Sequence, residues 1–203
     1  SRSTVAYHDS THLAKDVWSP RNICKNDKTT LLFVGEISKA KGVDILIDAL
    51  KILSQSGREF RLIFVGQGPE YQNIQSLTIP NVSIEMKGWV AQGASFDKLF
   101  LESDALVLPS LTEGVPRVII EAMVRATPVI GTRVGDIPEM LGEGSRGWLV
   151  PPSDSNALVE AIDNFITCKS EREAKVRDSV EHVKKYDKFY WAELIKNGLG
   201  NIL

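Results

Sequence analysis

Short apolar runs alternate with amphipathic segments along most of the chain. The first of them, residues 30–34, is continuously apolar, which is typical of a strand that is buried on both faces. The predicted strands are residues 30–34, 61–65, 82–86, 105–108, 128–131 and 147–150. The segments between them repeat apolar residues at helical spacing, as Val43, Leu46 and Leu50 do before Gly57. Strands that alternate with helices through short connections predict an α/β fold: a Rossmann-like parallel six-stranded sheet with helices on both faces.

The two ends of the chain differ from this pattern. Residues 1–28 are mostly polar with little period, and we interpret them as a lead-in or the remnant of an interdomain connection. Residues 29–186 form the predicted domain, in which 170–185 are a charged helix expected to face the solvent. Residues 187–203 predict an amphipathic helix that packs on this domain's own sheet or crosses to a missing N-terminal domain.

Composition narrows the class of protein. The 203 residues, 43% of them hydrophobic, suffice for one core, and a net charge of −2 without a basic run argues against nucleic acid as a partner. Cys24 and Cys168 are solitary, so neither a zinc site nor a disulfide framework is expected, which fits a cytoplasmic protein. His8 and His12 lack a third ligand. No apolar run reaches the roughly 18 residues of a membrane span, which leaves peripheral membrane association open.

The polar loops that follow the strands are the candidate site. Ligands of parallel sheets bind at the carboxyl ends of the strands, so residues 35–42, 66–69, 87–90 and 109–116 are predicted to surround one crevice. The last of these loops leads into a helix, where Pro116 suits the first turn and Thr112 or Glu113 can serve as the cap. Such a helix start favours an anion. Glu113 and Glu121 lie roughly 12 Å apart if the helical rise applies throughout, about the span from the sugar to the ribose of a nucleotide-sugar. On spacing alone, a capping glutamate and a surface glutamate are the favoured interpretation.

Several motifs in a fixed order carry a resemblance. They are EGVP at 113–116, EAM at 121–123, TPVIGT at 127–132 and IPE at 137–139. Together they resemble the donor-domain signature of family-4 glycosyltransferases, which are retaining enzymes of the GT-B fold with two Rossmann-like halves. The resemblance is close over about residues 30–150 and implies the C-terminal half, which binds the nucleotide-diphospho-sugar donor.

The resemblance also implies roles for individual residues. Lys41 would neutralise the diphosphate and act with Glu113 as a catalytic residue, while Glu121 would accept hydrogen bonds from the ribose hydroxyls. Glu113 and the backbone N–H of Val115 would address the sugar. The full expected donor-binding set is Gly35, Glu36, Lys41, Gly42, Gly66, Trp89, Val90, Glu113, Gly114, Val115, Pro116, Arg117 and Glu121. Trp89 is equally compatible with a place in the core. Neither a cofactor nor a metal is expected, because cations and a helix dipole stabilise the leaving diphosphate in such enzymes.

Two positions depart from the family pattern. Glu36 stands where the family usually has an arginine, and a carboxylate repels phosphates. Either Glu36 points away, or Arg117 or Arg133 compensates, or the site is weakened. Asp136 follows Gly135 where a Gly-Gly pair is more common, which puts a close backbone approach there in doubt.

The expected function is therefore the donor half of a glycosyltransferase of polysaccharide or glycoconjugate synthesis. The acceptor, a glycan or lipid, would be bound mainly by the N-terminal half, so the chain alone is expected to bind donor without turnover. A dehydrogenase is disfavoured because Tyr71 replaces the third glycine of its fingerprint. The remaining alternatives are a GT-B sugar-nucleotide epimerase and a degenerate, non-catalytic donor domain that acts as a binding module.

Overall fold

A single six-stranded sheet organises the protein. The computed structural model describes residues 14–24, 28–187 and 193. The strands are β1 (Lys28–Val34), β2 (Glu59–Val65), β3 (Val82–Met86), β4 (Ala105–Leu108), β5 (Val129–Thr132) and β6 (Trp148–Val150). All neighbouring strands pair in parallel, in the order β3-β2-β1-β4-β5-β6. The predicted sheet is confirmed, and its strand order is that of a Rossmann fold.

Helices cover both faces of the sheet, as predicted. They are α1 (Val43–Ser54), α2 (Tyr71–Gln75), α3 (Ala94–Glu102), α4 (Arg117–Val124), α5 (Ile137–Met140), α6 (Ser155–Thr167) and α7 (Lys169–Lys185). One core joins the sheet to α1 and α6 through residues such as Leu50 and Phe165. The other joins it to α3 and α4 through Phe100 and Met123. Alternate side chains of the central strands, such as Leu31 and Leu32 of β1, enter opposite cores, which explains why those strands are apolar on both faces, whereas the edge strand β3 contributes only to the core with α1 and α6.

Two details of the helices differ from the predictions. Helix α7 is not a solvent-facing helix throughout, because Val176, Val180 and Val183 are buried beneath its charged surface. These three residues form a narrow stripe that the many charged residues around it conceal in the sequence. Helix α4 begins at Arg117, after Pro116 in an extended conformation, and neither Thr112 nor Glu113 caps it by a side-chain hydrogen bond. The stretch from Glu113 to Glu121 is therefore not helical throughout.

The described part of the lead-in packs against the domain. The backbone N–H of Trp18 donates to the carbonyl of Val124 at 2.7 Å, at the end of α4. The guanidinium of Arg21 donates to the carbonyls of Phe100, Ser103 and Arg125, and its burial lowers its pKa. This segment thus ties the ends of α3 and α4 together.

Parts of the sequence predictions fall outside the described residues. These are the histidine pair at 8 and 12 and nearly all of the predicted helix over 187–203. Among the helices that the structure describes, none is long and apolar enough to cross a membrane.

Candidate functional site

The loops after β1 and β4 are locked together at the edge of the sheet. Strand order reverses between these two strands, and this is where ligands bind in open parallel sheets. Gly42 adopts a left-handed φ of 66°, and a Cβ atom on it would lie 1.9 Å from the carbonyl oxygen of Pro109. Leu111 N–H donates to the carbonyl of Ala40 at 2.9 Å. Because only glycine permits this approach, Gly42 places Lys41 beside the β4 loop.

The loops after β2 and β3 join the same edge. A Cβ atom on Gly66 would lie 1.9 Å from the carbonyl oxygen of Gly35. The N–H of Gly66 donates to the carbonyl of Gly88 at 2.8 Å. Ile37 N–H donates to the carbonyl of Gln67 at 2.9 Å. The four loops that the sequence placed around one crevice are therefore in mutual contact.

Lys41 and Glu113 form an ion pair across the crevice. Their Nζ and Oε1 atoms are 2.7 Å apart, and the side chains are 25% and 9% exposed. The hydroxyl of Ser110 donates to the same Oε1 at 2.8 Å, while Thr132 Oγ1 donates to the carbonyl of Ser110 at 2.6 Å. The two residues predicted to be catalytic thus meet, and each neutralises the other in this structure.

The loop from Glu113 to Val115 offers backbone donors. Among the described residues, no acceptor lies within hydrogen-bond reach of the N–H groups of Gly114 and Val115. A Cβ atom on Gly135 would lie 2.3 Å from the carbonyl oxygen of Glu113, and Asp136 N–H donates to the carbonyl of Gly114 at 3.1 Å. The close backbone approach that Asp136 put in doubt is present, because Gly135 makes it and Asp136 contributes only its N–H group. The free donors lie just before α4, where its dipole favours an anion.

Glu121 lies on α4, held between two side chains. Its Oε2 accepts from Arg125 Nη1 at 2.5 Å, and its Oε1 accepts from Gln92 Nε2 at 3.0 Å. Sequence reasoning missed Arg125 and Gln92. The spacing of Glu121 and Arg125, four residues along a helix, is a signal for the first. No sequence signal identifies Gln92, because its contact spans 29 positions.

Two cavities are lined by other residues of the predicted set, and Lys41 and Glu113 line neither of them. One of about 430 Å³ is lined by Gly35, Glu36, Gly66, Gln67, Trp89 and Val90, among others. A second of about 520 Å³ is lined by Arg117, Glu121, Arg125 and Trp18, among others. Gln92 lines both. Trp89 is 77% exposed, so the core alternative for it is wrong. The predicted residues thus divide between the two cavities. Those that follow β1, β2 and β3 line the first, whereas Arg117 and Glu121 of α4 line the second.

The carboxylate of Glu36 forms no ion pair with a described residue. It lines the 430 Å³ cavity, and its Oε2 accepts from Ser38 Oγ at 2.9 Å. Arg133 pairs with Glu143 at 3.2 Å, and Arg117 lines the other cavity. Within the described ranges, no basic side chain lies within 4.0 Å of the Glu36 carboxylate. Neither arginine compensates for it by direct pairing.

The residues that the structure describes contain no group of three or more His, Cys, Asp or Glu side chains placed to hold a metal ion. The site as described consists of Lys41, Arg117 and Arg125, free backbone donors and carboxylates. These groups suit a ligand that carries both phosphates and hydroxyls.

Comparisons with known proteins identify relatives in sequence and solved structures with the same fold. WcaL of Escherichia coli, a putative colanic acid biosynthesis glycosyltransferase, is 30% identical over 181 residues, covering 81% of this chain and 44% of WcaL. The C-terminal domain of a group 1 glycosyl transferase from Francisella tularensis superposes with a TM-score of 0.67 at 22% identity, covering 79% of this chain and 87% of that domain. HepE of Anabaena, solved with UDP-glucose, gives a TM-score of 0.70 at 23% identity, covering 86% of this chain and 49% of HepE. The structural likenesses establish the fold, the Rossmann-like unit of a GT-B protein.

The chain spans less than half the length of the curated relatives that it matches first. The sequence profile of the family described as "Glycosyl transferases group 1" matches residues 15–182, which is most of the chain. Because this profile covers most of the chain and the structure has the matching Rossmann-like sheet, the chain belongs to the group 1 glycosyl transferases.

Proposed function

We propose that this chain is the donor-binding half of a retaining glycosyltransferase and binds a nucleotide-diphospho-sugar in the crevice. The observation that supports this most directly is the Lys41–Glu113 ion pair at 2.7 Å, which bridges the β1 and β4 loops beside the free N–H groups of Gly114 and Val115. One cation, one carboxylate and two backbone donors are the groups that a sugar linked to a diphosphate requires.

Donor binding exchanges one set of contacts for another. Lys41 turns from Glu113 to the diphosphate, because a doubly charged ligand attracts the ammonium more strongly than a single carboxylate does. Glu113 is then free to accept hydrogen bonds from sugar hydroxyls, and Ser110 continues to hold its Oε1. Glu121 accepts from the ribose hydroxyls at the other end of the ligand.

The chemistry that these groups support is loss of the diphosphate from the anomeric carbon. Lys41 and the backbone donors before α4 stabilise the negative charge that develops on the leaving oxygen. This requires neither a cofactor nor a general base from this chain. The acceptor would then attack from the side on which the diphosphate departs, which gives retention.

The relatives suggest the wider setting. HepE was solved with UDP-glucose and WcaL is named for colanic acid biosynthesis, so we propose a sugar nucleotide as donor and a growing glycan or glycolipid as acceptor. The acceptor would be held mainly by an N-terminal half, with peripheral membrane association of the whole enzyme if the acceptor is a lipid.

A second candidate function is a donor domain that has lost activity and serves as a binding module. The carboxylate of Glu36, which lies on the loop after β1 and pairs with no described cation, favours this second function. In that case the crevice would bind no nucleotide.

A thermal-shift titration with UDP, GDP, ADP and their sugars separates the two functions. At about 100 times Kd, binding adds roughly 2.7 kcal/mol to the free energy of unfolding, which raises Tm by about 5–10 °C. We expect this shift with one nucleotide, and we expect Lys41→Met to remove it. Lys51→Met is the matched control, since Lys51 is an exposed lysine on α1 that pairs only with Asp48.

The absence of a shift with every nucleotide would favour the binding module. An assay with labelled sugar nucleotide and glycan acceptors completes the test. We expect the isolated chain to bind donor without transferring sugar, so detectable transfer would contradict the proposed division of labour between the halves.

A further inference from the structure

Arg125 is a nearly buried cation that no part of the proposed chemistry uses. It follows the last residue of α4, and its side chain is 11% exposed. Its Nη1 donates to Glu121 Oε2 at 2.5 Å and to the carbonyl oxygen of Glu121 at 3.0 Å. A guanidinium is a rigid, planar group, so the bond to the backbone carbonyl fixes Nη1 in place and the bond to Oε2 then sets the direction of the Glu121 carboxylate.

The guanidinium is itself held on its other edge. Asp97 Oδ1 accepts from Nε at 2.9 Å and from Nη2 at 2.7 Å. The rings of Phe100, Phe96 and Trp18 lie 5.1, 5.4 and 5.9 Å from its central carbon. Stacking on aromatic rings and pairing with a second carboxylate leave Arg125 a single orientation.

Glu121 receives one further contact. Gln92 Nε2 donates to its Oε1 at 3.0 Å, from the loop before α3. A carboxylate oxygen can accept more than one hydrogen bond, so both oxygens of Glu121 keep capacity for a ligand. The side chain is 18% exposed, and it borders the 520 Å³ cavity.

We propose that Arg125 is a positioning residue for ribose recognition: it holds Glu121 in the rotamer that accepts hydrogen bonds from a vicinal diol. Asp97 and Trp18 act through Arg125 by fixing its guanidinium. This inference rests on the proposed function, because it assigns Glu121 to the ribose of the donor.

The charges on these residues agree with a diol as the ligand. One guanidinium between the carboxylates of Asp97 and Glu121 leaves one negative charge in the group. A carboxylate that keeps its negative charge attracts hydroxyl donors, so Glu121 fits the ribose end of a nucleotide. A free glutamate on a helix has several rotamers, and selecting one before binding lowers the entropic cost of recognition.

The test compares each nucleoside diphosphate with its 2′,3′-dideoxy counterpart, which lacks both hydroxyls. Kd is measured by calorimetry for UDP, GDP and ADP, and the pair that binds the wild-type chain is carried forward. We expect the dideoxy compound to bind the wild type about 10- to 100-fold more weakly, which is the loss expected for hydrogen bonds to a charged group.

In Arg125→Met this ratio should fall below about 3-fold, while Kd for the dideoxy compound changes less than about 2-fold. Arg125→Lys should recover part of the ratio, because an ammonium restores the charge but not the paired bonds. The matched control is Arg172→Met. Arg172 is equally buried, stacks on Phe165 and bonds to the carbonyls of Phe165 and Ile166, far along the chain from the crevice. Arg172→Met should lower the stability of the chain and leave the ratio of the two Kd values at its wild-type level.

Three results decide the outcome. A wild-type ratio in Arg125→Met, or equal weakening of both compounds, would show a merely structural role and overturn the inference. Should Arg125→Met fail to fold, Arg125→Lys and Asp97→Asn provide the same comparison. A wild-type chain that binds none of the three nucleotides would overturn the proposed function itself, whereas a wild-type chain that binds without discriminating against the dideoxy compound would overturn only this inference.

Discussion

Replacing Gly42 with alanine tests how the crevice is built. The new Cβ would lie 1.9 Å from the carbonyl oxygen of Pro109, about 1.5 Å short of an ordinary contact distance of 3.4 Å. The left-handed φ of 66° adds about 1–2 kcal/mol of backbone strain, and the lower entropy of the unfolded chain offsets about 0.4–1 kcal/mol of this. Relief of the overlap by moving a loop costs a further 1–3 kcal/mol, roughly.

The expected loss is thus about 1–5 kcal/mol, or a fall in Tm of roughly 2–20 °C for a chain of this size. Gly57→Ala is the matched control, because Gly57 has a φ of 80° but nothing within 4 Å of the added Cβ. It should cost only the net strain, about 0.5–1.5 kcal/mol. Urea titrations of both variants and the wild type measure the difference.

Nucleotide binding provides a second measurement on Gly42→Ala and Gly57→Ala. Relief of the overlap displaces Lys41 from Glu113, so Gly42→Ala should weaken nucleotide binding while Gly57→Ala leaves it unchanged. Equal losses of stability in the two variants would refute the reasoning, since they would show that the contact with Pro109 carries no cost.

Three further predictions concern stability and reactivity. Arg61 holds the pKa of the Glu85 carboxyl at about 2, below its usual 4.5. The ionised carboxyl therefore stabilises the fold above about pH 4.5, and this stabilisation is lost as pH falls toward 2. In urea titrations, Glu85→Gln should cost about 1 kcal/mol at pH 7, a figure reduced for solvent exposure, and nothing near pH 2. Asp154 accepts from Ala157 N–H at 2.9 Å at the start of α6, so Asp154→Ala should cost about 1 kcal/mol and lower Tm by roughly 2–4 °C by calorimetry, whereas Asp154→Asn should retain most of the stability. Burial raises the pKa of the Cys24 thiol to about 12, so alkylation at pH 8, followed by mass spectrometry, should be at least about 100-fold slower than for a free thiol, and rapid labelling of the folded chain would contradict this.

The fold was predictable because its signal is local. Continuous apolar runs such as Ala105–Leu108 are typical of strands buried on both faces, and the structure buries all four of these residues. Helix α7 shows the limit of that signal. Its apolar stripe at Val176, Val180 and Val183 is one residue wide, so its charged neighbours hide it.

The candidate site was predictable only in part, because its contacts are distant in sequence. Strand ends placed Lys41 and Glu113 on one edge of the sheet, but their pairing depends on how closely Gly42 approaches Pro109. Gln92 and Asp97 reach α4 from another helix and its preceding loop. No periodicity links such residues, and their assembly follows from the packing of α3 against α4.

The charges on and around the loop after β1 predict an unusual dependence of donor affinity on salt. Lys41 is compensated by Glu113, and Glu36 carries a negative charge that no described cation pairs, so these three side chains sum to about one negative charge, while Arg117 lines the separate cavity at α4. Under the proposed function, Lys41, backbone donors and the start of α4 hold the anionic donor against the net negative charge of these three side chains, and added salt screens that repulsion. We expect the Kd of the nucleoside diphosphate to stay constant or to fall as ionic strength rises from about 0.05 to 0.5 M.

Reversing the charge at Glu36 should reverse this dependence. Glu36→Arg replaces the repulsive carboxylate with a cation, so it should bind more tightly at low salt and weaken steadily as salt is added. Calorimetric titrations across the same range compare the two chains, with Glu36→Gln as the intermediate control. A wild-type Kd that rises with salt as steeply as that of Glu36→Arg would show that the Glu36 carboxylate lies outside the field of the phosphates.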